Sequence, residues 1–208
     1  HYRVATNSPR TSLGLPEVQL GLIPAAGGCQ RLPRLIGTRA ALDIILSGRK
    51  IKAKQAKRLG LIDELVPAPI LRTTAISAAQ RLADGWRPNR CSPTGITAYL
   101  LDRNPFGRRF VYYQAKRQIL KRTRGHYPAP LAALNAIRTG LAKGMVTGLK
   151  REASFFAELL VGNVSRKLVQ LFFATTAIKK TSSLNSGQAP SNHLDRLGVV
   201  GAGFMGSS

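Results

Sequence analysis

The spacing of the apolar residues changes once along the chain, and this change limits the possible folds. Up to about residue 90, short apolar runs alternate with turn signals, as in a mixture of short strands and short helices. Beyond residue 104, apolar residues recur at intervals of three and four, as on one face of a helix. The stretch 85–104 is rich in Pro, Asn, Arg and Gly, which favours a domain boundary there. The sequence therefore predicts an α/β part followed by a helical part.

A long apolar stripe marks the end of the helical part. Its residues recur mostly at intervals of four, which predicts one long helix with a buried packing face rather than a cofactor site. After it, residues 179–194 are polar and poor in apolar side chains, as in a linker. The stripe consists of Leu149, Ala153, Phe156, Leu160, Val164, Leu168 and Phe172.

Positive charge is the strongest bias in the composition. Lys and Arg number 32 against 9 Asp and Glu, so the formal net charge is +23 and the isoelectric point is about 11.4. Such a balance suits an anionic partner, which could be nucleic acid, an acidic membrane surface or a phosphorylated small molecule.

The densest basic stretch is 103–124, which contains many Arg and Lys residues and no acid. Phe106, Phe110, Tyr112 and Tyr113 interleave with these cations, as in proteins that bind nucleic acid. The aromatic residues also follow the spacing of a helix core, which favours an amphipathic helix with a solvated basic face. Both interpretations stay open at this point.

The sequence gives little support for a metal site or for a transmembrane segment. Two cysteines, Cys29 and Cys91, and three histidines, His1, His126 and His193, lack the spacing of a metal site or a disulfide framework. No apolar run is long enough to predict a transmembrane segment. Because the chain starts without Met and stops inside a glycine-rich motif, we expect it to be an internal piece of a longer protein.

A single carboxylate, Glu17, stands in the apolar run LPEVQLGLIPAAGG. Loss of hydration disfavours its charged form, which would let Glu17 donate or accept a proton near neutral pH. An exposed carboxylate at the end of a strand is the alternative. The pair Gly27–Gly28 precedes a predicted helix, where backbone N–H groups can bind an oxygen atom or simply form a turn.

The chain ends in LGVVGAGFMGSS, a short apolar strand followed by Gly201, Gly203 and Gly206. Glycines at this spacing let a backbone turn tightly and approach a pyrophosphate at a helix N-terminus, which predicts a dinucleotide site. A glycine-rich loop without a nucleotide is the alternative. The acidic ribose ligand, expected about 20 residues further on, would lie beyond Ser208.

Together these segments resemble the α chain of the multifunctional enzymes of fatty-acid β-oxidation. That chain joins an enoyl-CoA hydratase/isomerase domain of the crotonase type to a 3-hydroxyacyl-CoA dehydrogenase. The order of the matching segments agrees along nearly the whole chain. They are residues 15–37, ALDIILSGRKIKAKQAKRLGLIDELV at 41–66, RGHYPAP at 124–130, REASFFAELL at 151–160, LFFAT at 171–175 and LGVVGAGFMG at 197–206.

The resemblance implies an α/β fold in consecutive parts. Residues 1–90 would form the C-terminal part of a crotonase-like ββα spiral fold, residues 91–178 a mostly helical linker region and residues 179–194 a polar linker. Residues 195–208 would begin a Rossmann NAD-binding domain with its first strand and Gly-rich turn.

The resemblance also implies two reactions. Glu17 corresponds to one of two glutamates that hydrate trans-2-enoyl-CoA to 3-hydroxyacyl-CoA, with the other glutamate and both oxyanion-hole N–H groups lying before the position of His1. Gly201, Gly203 and Gly206 would hold the NAD that oxidises this product to 3-oxoacyl-CoA. Isomerisation of an enoyl-CoA by Glu17 alone is the alternative within the family. Because parts of both sites are missing, we expect the isolated chain to be inactive.

Partners and location follow from the same resemblance. It implies acyl-CoA thioesters as substrates, a thiolase β subunit as partner in a hetero-oligomer, and neither a metal nor a specific nucleic acid. The bacterial cytoplasm is the expected location, with the mitochondrion or the peroxisome as alternatives.

Two residues depart from the family pattern. Ala25 stands where the family usually has Gly, so the loop would be strained if this position needs a positive φ. Cys29 replaces a small polar residue such as Thr, which we interpret as a change in packing.

Overall fold

The computed structural model of the chain describes residues 2–88 and 104–185. The chain divides into two compact units, which are residues 1–170 and residues 171–208. Most of the described secondary structure lies in the first unit.

The first part of the chain combines four short strands with four helices, as the mixed apolar pattern predicts. The apolar pattern over 39–46 predicts a helix that stops at Gly48. The observed helix Thr38–Ser47 confirms this, and it ends where the N–H of Gly48, at φ +65°, bonds to the C=O of Ile44. The apolar run over 61–66 predicts a strand, and only Glu64–Val66 forms one. The elements are β1 (Val4–Thr6), β2 (Ser12–Leu13), a 3-10 helix (Pro16–Leu20), α1 (Gly28–Ile36), α2 (Thr38–Ser47), β3 (Ile51–Lys52), α3 (Ala53–Arg58), β4 (Glu64–Val66), a second 3-10 helix (Ala68–Ile70) and α4 (Leu71–Ala83).

Two strand pairs hold this part together. β1 and β4 are parallel, with Val4 opposite Glu64 and Thr6 opposite Val66. β2 and β3 are antiparallel, with Leu13 opposite Ile51. A parallel pair needs a long crossover, which the chain between β1 and β4 supplies with helices α1 to α3.

The second part is helical, as predicted. Its elements are α5 (Pro105–Thr123), α6 (Pro128–Lys143), α7 (Met145–Leu160) and α8 (Asn163–Asn185). α8 continues into the segment from residue 179 that we predicted to be a polar linker. None of the helices within the described ranges is long and apolar enough to cross a membrane.

The prediction of one long helix with a buried stripe is wrong. The helix breaks at Val161 and Gly162, where the Ser165 hydroxyl donates to the C=O of Gly162 at 3.0 Å. The break puts the two halves of the stripe on different helices, so a common period no longer means a common face. Leu160 is 53% exposed, and Phe172 in the second unit is 50% exposed.

The core instead lies between the helices of the two parts. α1 and α2 contribute Leu32, Ile36 and Ile45, and α6 contributes Ala133 and Ile137, all in one buried cluster. The helical region from α5 to α7 is therefore packed into the same unit as the α/β part.

Candidate functional site

Glu17 lies in the 3-10 helix Pro16–Leu20, beside a cavity. Pro16 begins this helix, and Gly21, at φ +72°, ends it in a left-handed turn. One carboxylate oxygen of Glu17, Oε2, is buried and has no hydrogen-bond partner in the described part of the chain. A buried polar atom without a partner is costly, so it is often a sign of a functional role.

The cavity beside Glu17 has a volume of about 310 Å³. Four leucines and Pro24 give it apolar walls, and the loop Ala26–Gly28 forms another part of its lining. Within the described part of the chain, Glu17 and Arg31 are the only ionisable residues that line it. A larger cavity of about 840 Å³ opens between α2 and α5, but its carboxylate, Asp43, is exposed and paired with Arg49. The Glu17 cavity is therefore the better candidate for acid–base chemistry.

Glycines shape the loop that lines this cavity. Gly27 has φ +83°, which favours glycine. A Cβ on Gly28 would lie 2.6 Å from Cβ of Pro24, so a larger residue does not fit there. The strain that we expected at Ala25 is absent, because Arg124 is the only described non-glycine residue with a positive φ. Ala25 is therefore accommodated without backbone strain.

Cys29 follows these glycines and is fully buried in the core, as a packing residue would be. Burial raises the pKa of its thiol, and the carboxylates of Glu152 and Glu17 raise it further.

Glu152, in α7, is the residue near this site that sequence reasoning missed. It is fully buried, and its Oε1 accepts a hydrogen bond from the N–H of Gly27 at 2.6 Å. Its Oε2 is buried without a hydrogen-bond partner in the described part of the chain. Burial raises the pKa of Glu152, although the Gly27 N–H and the Arg31 charge oppose that rise. The signal in the sequence was an acid four residues after Gly148. Residues four apart share one face of a helix, and a glycine on that face lets a neighbouring helix approach closely.

A polar junction fixes α1 against α6 and α7. Gln30 is fully buried and donates from Nε2 to the C=O of Ala136 at 3.1 Å. Arg34 donates to the C=O of Gly140 at 2.6 Å. Gly140 and Gly148 make room for the Gln30 side chain, since a Cβ on either would lie less than 3 Å from Gln30 Oε1. These contacts set the position of α7, and hence of Glu152, relative to the cavity loop.

Most of the described cations of the basic stretch lie on the solvent-exposed side of α5, whereas Arg108 is half-buried. The core side of α5 is Val111, Tyr112, Ala115 and Ile119. Phe110 is 56% exposed and Tyr113 66%, so the expectation that these two aromatic residues form a helix core is wrong. α5 packs on the core through the neighbouring residues on its other side instead.

The other predicted site residues are not all described. Gly201, Gly203 and Gly206 lie outside the described residues, as do Cys91 and His193. Within the described ranges, no three His, Cys, Asp or Glu side chains lie close enough together to hold a metal ion.

Comparison with known proteins shows what the chain is similar to. Residues 1–89 match the enoyl-CoA hydratase/isomerase family. The fatty acid oxidation complex subunit alpha of Shewanella loihica is 46% identical over 206 residues, which is 99% of this chain and 28% of the relative. The chain thus spans little more than a quarter of the length of this relative.

Solved structures of this class share the fold. An enoyl-CoA hydratase/isomerase from Pseudoalteromonas atlantica superposes with a TM-score of 0.52 at 22% identity, covering 84% of this chain and 54% of that chain. A carnitinyl-CoA hydratase from Mycobacterium avium gives 0.50 at 24% identity, covering 83% of this chain and 51% of that chain. At these identities the likeness shows the fold alone, and it confirms the crotonase-like fold.

Residues 1–89 are therefore similar to the enoyl-CoA hydratase/isomerase family. The chain as a whole is a homologue of the α subunits of fatty acid oxidation complexes, which confirms the resemblance predicted from the sequence.

Proposed function

We propose that Glu17 is an acid–base residue for hydration of a trans-2-enoyl-CoA. One observation carries the proposal: a buried carboxylate oxygen without a partner stands at an apolar cavity lined by a glycine loop. Apolar walls limit the access of water to this carboxyl group, and a positioned carboxyl group can accept or donate a proton in a reaction. Similarity to enoyl-CoA hydratases supports the substrate class.

Hydration breaks the C2=C3 double bond of the thioester. The water oxygen bonds to C3, one water proton goes to a base, and C2 gains a proton from an acid. Glu17 would exchange one of these protons through Oε2, together with the second glutamate that the family implies. Isomerisation, in which Glu17 carries a proton between C2 and C4, uses the same carboxyl group and is the alternative reaction.

The wider activity of the relatives extends this proposal to the whole protein. The dinucleotide motif at Gly201, Gly203 and Gly206 and the similarity over 99% of the chain support a second, NAD-dependent oxidation of 3-hydroxyacyl-CoA. A thiolase β subunit remains the proposed partner. NAD would supply hydride acceptance when bound to these glycines.

Glu17→Gln tests the proposal in the full-length polypeptide that carries these residues. We expect kcat for hydration of trans-2-enoyl-CoA to fall by about 100-fold or more, because the amide cannot exchange the proton. Glu158→Gln is the matched control, since Glu158 is an exposed carboxylate on α7. Hydration that survives Glu17→Gln at near wild-type kcat would contradict the assignment. The 208-residue chain alone is expected to turn over neither an enoyl-CoA nor a 3-hydroxyacyl-CoA.

Binding of single-stranded nucleic acid is a second candidate, supported by the exposed face of α5. Arg109, Tyr113, Lys116 and Arg117 are exposed and follow helical spacing, so they share one side of the helix. An exposed Tyr between cations can stack on a base while the cations bind phosphates. The apolar side of α5 is packed on the core, so it is not available to enter a membrane.

A pair of charge reversals separates this candidate from an effect of net charge alone. Lys116→Glu with Arg117→Glu is expected to lower the affinity for a labelled oligonucleotide about tenfold or more, and to reduce its salt dependence. Lys54→Glu with Arg58→Glu changes the net charge equally, at exposed positions on α3, and is the control. Equal losses for both pairs, or no binding at about 150 mM salt, would rule out a nucleic-acid site on α5.

A further inference from the structure

The peptide group between Ala26 and Gly27 is held at both of its polar atoms by charged side chains. The N–H of Gly27 donates to Glu152 Oε1 at 2.6 Å. The C=O of Ala26 accepts from Arg31 Nη1 at 2.7 Å. The N–H and C=O of a trans peptide point in opposite directions, so the acid and the base hold it from opposite edges.

This peptide group belongs to the wall of the Glu17 cavity. Ala26, Gly27, Gly28 and Arg31 line that cavity together with Glu17. Rotation of the peptide plane would break both charged hydrogen bonds, which are stronger than bonds between neutral groups. The wall therefore has one preferred orientation.

Close packing fixes the helix that carries Glu152. Its helix, α7, is fixed by the close approach of Gly140 and Gly148 around Gln30, and Gln30 itself belongs to α1. The start of α8 packs on the same region, because a Cβ on Gly21 would lie 3.0 Å from Cα of Ser165. The carboxyl group is thus placed by packing that is independent of its own hydrogen bond.

Burial of this carboxyl group has a cost that the observed bonds only partly offset. Glu152 is fully buried in the core, and its Oε2 has no hydrogen-bond partner in the described part of the chain. A Gln or an apolar residue would fill the same space without a buried charge. A negative charge at this point stabilises the loop, because the loop includes the first N–H groups of α1 and a helix N-terminus carries a partial positive charge.

We propose that Glu152 is a positioning residue of the Glu17 site: it fixes the Ala26–Gly27 peptide and so sets the shape of the cavity wall against the substrate. The inference rests on the proposed function of Glu17.

The test has a structural arm that does not depend on catalysis. In amide NMR spectra of the 208-residue chain, the Gly27 N–H resonance is expected to lie downfield and to shift with pH as Glu152 titrates. Glu152→Gln should abolish this titration, and the exposed-site control Glu158→Gln should preserve it. A Gly27 amide that ignores Glu152→Gln would overturn the proposal.

The catalytic arm uses the full-length polypeptide. Glu152→Gln is expected to lower kcat for enoyl-CoA hydration about 10- to 100-fold with KM nearly unchanged, since a small displacement of the wall misplaces bound substrate for reaction. Arg31→Leu acts on the other end of the same peptide and should lower kcat in the same direction. Because Arg31 is exposed, this variant carries the test if Glu152→Gln does not fold.

Glu17→Gln separates the two hypotheses. If Glu17→Gln keeps kcat, the function proposed for Glu17 fails, and the NMR arm alone decides the role of Glu152. If Glu17→Gln abolishes hydration while Glu152→Gln and Arg31→Leu both keep wild-type kcat, the function stands and the positioning role is wrong.

Discussion

Two stretches of the helical region have similar apolar spacing in the sequence but different surroundings in the fold. α6 and the first turns of α7 pack on α1 through a buried Gln, a buried Glu and a pair of glycines. The end of α7 leaves Leu160 and Val161 largely exposed. The difference teaches that the spacing of apolar residues alone does not identify the packed face of these helices. The buried polar residues and the glycines identify it instead.

The largest effect is expected where the helices approach most closely. In Gly148→Ala the new Cβ would lie 2.6 Å from Cα of Gly140 and 2.3 Å from Gln30 Oε1. Backbone cannot move away cheaply, so the free energy of unfolding should fall by about 3 kcal/mol. Urea unfolding of the chain measures it, with Thr147→Ala at the exposed neighbouring position as the control. A loss as small as that of the control would show that α6 and α7 are not closely packed there.

A moderate, pH-dependent effect is expected from the buried carboxyl group in this junction. Burial raises the pKa of Glu152 above the value of 4.5 for the free side chain, so the folded state keeps a proton that the unfolded state has lost. Stability from this group is therefore greatest at low pH and declines as the pH rises through the folded pKa. Glu152→Gln, which does not titrate, should become more stable relative to wild type over the same interval.

Unfolding of both proteins by urea at a series of pH values from about 4.5 upward gives this comparison, because the other titrating groups are common to both. A difference in stability that is constant with pH, or that changes in the opposite direction, would contradict the assignment of a raised pKa.

The smallest effect is expected in the exposed stretch. Val161 is 72% exposed, so Val161→Ala should change the free energy of unfolding by no more than about 0.5 kcal/mol. The same urea experiment measures it. A loss comparable to that of Gly148→Ala would mean that the two stretches are packed alike, and the comparison would fail.

The sequence was sufficient for several parts of this account. Helix ends at Gly48 and the helical nature of the second part could be predicted, because they depend on local preferences of the backbone. Glu17 could be singled out because a carboxylate in an apolar run is locally unusual. The family pattern then gave it a role.

Other parts could not be predicted, for physical reasons. The partner of Glu152 is a backbone N–H of a residue 125 positions earlier, and backbone atoms leave no mark in the sequence. The break at Gly162 depends on a hydroxyl bond from Ser165 that the apolar period does not reveal. Phe110 and Tyr113 have the spacing of core residues, but α5 turns its other side to the core.

Hydrogen exchange at the Gly27 amide tests most directly whether α7 holds the wall of the Glu17 cavity. If Glu152 fixes this peptide, Glu152→Gln should increase the exchange rate of the Gly27 N–H about tenfold or more through local opening, while Glu158→Gln leaves it unchanged. An exchange rate in Glu152→Gln equal to that of wild type would show that the loop keeps its shape without α7, and would contradict the account.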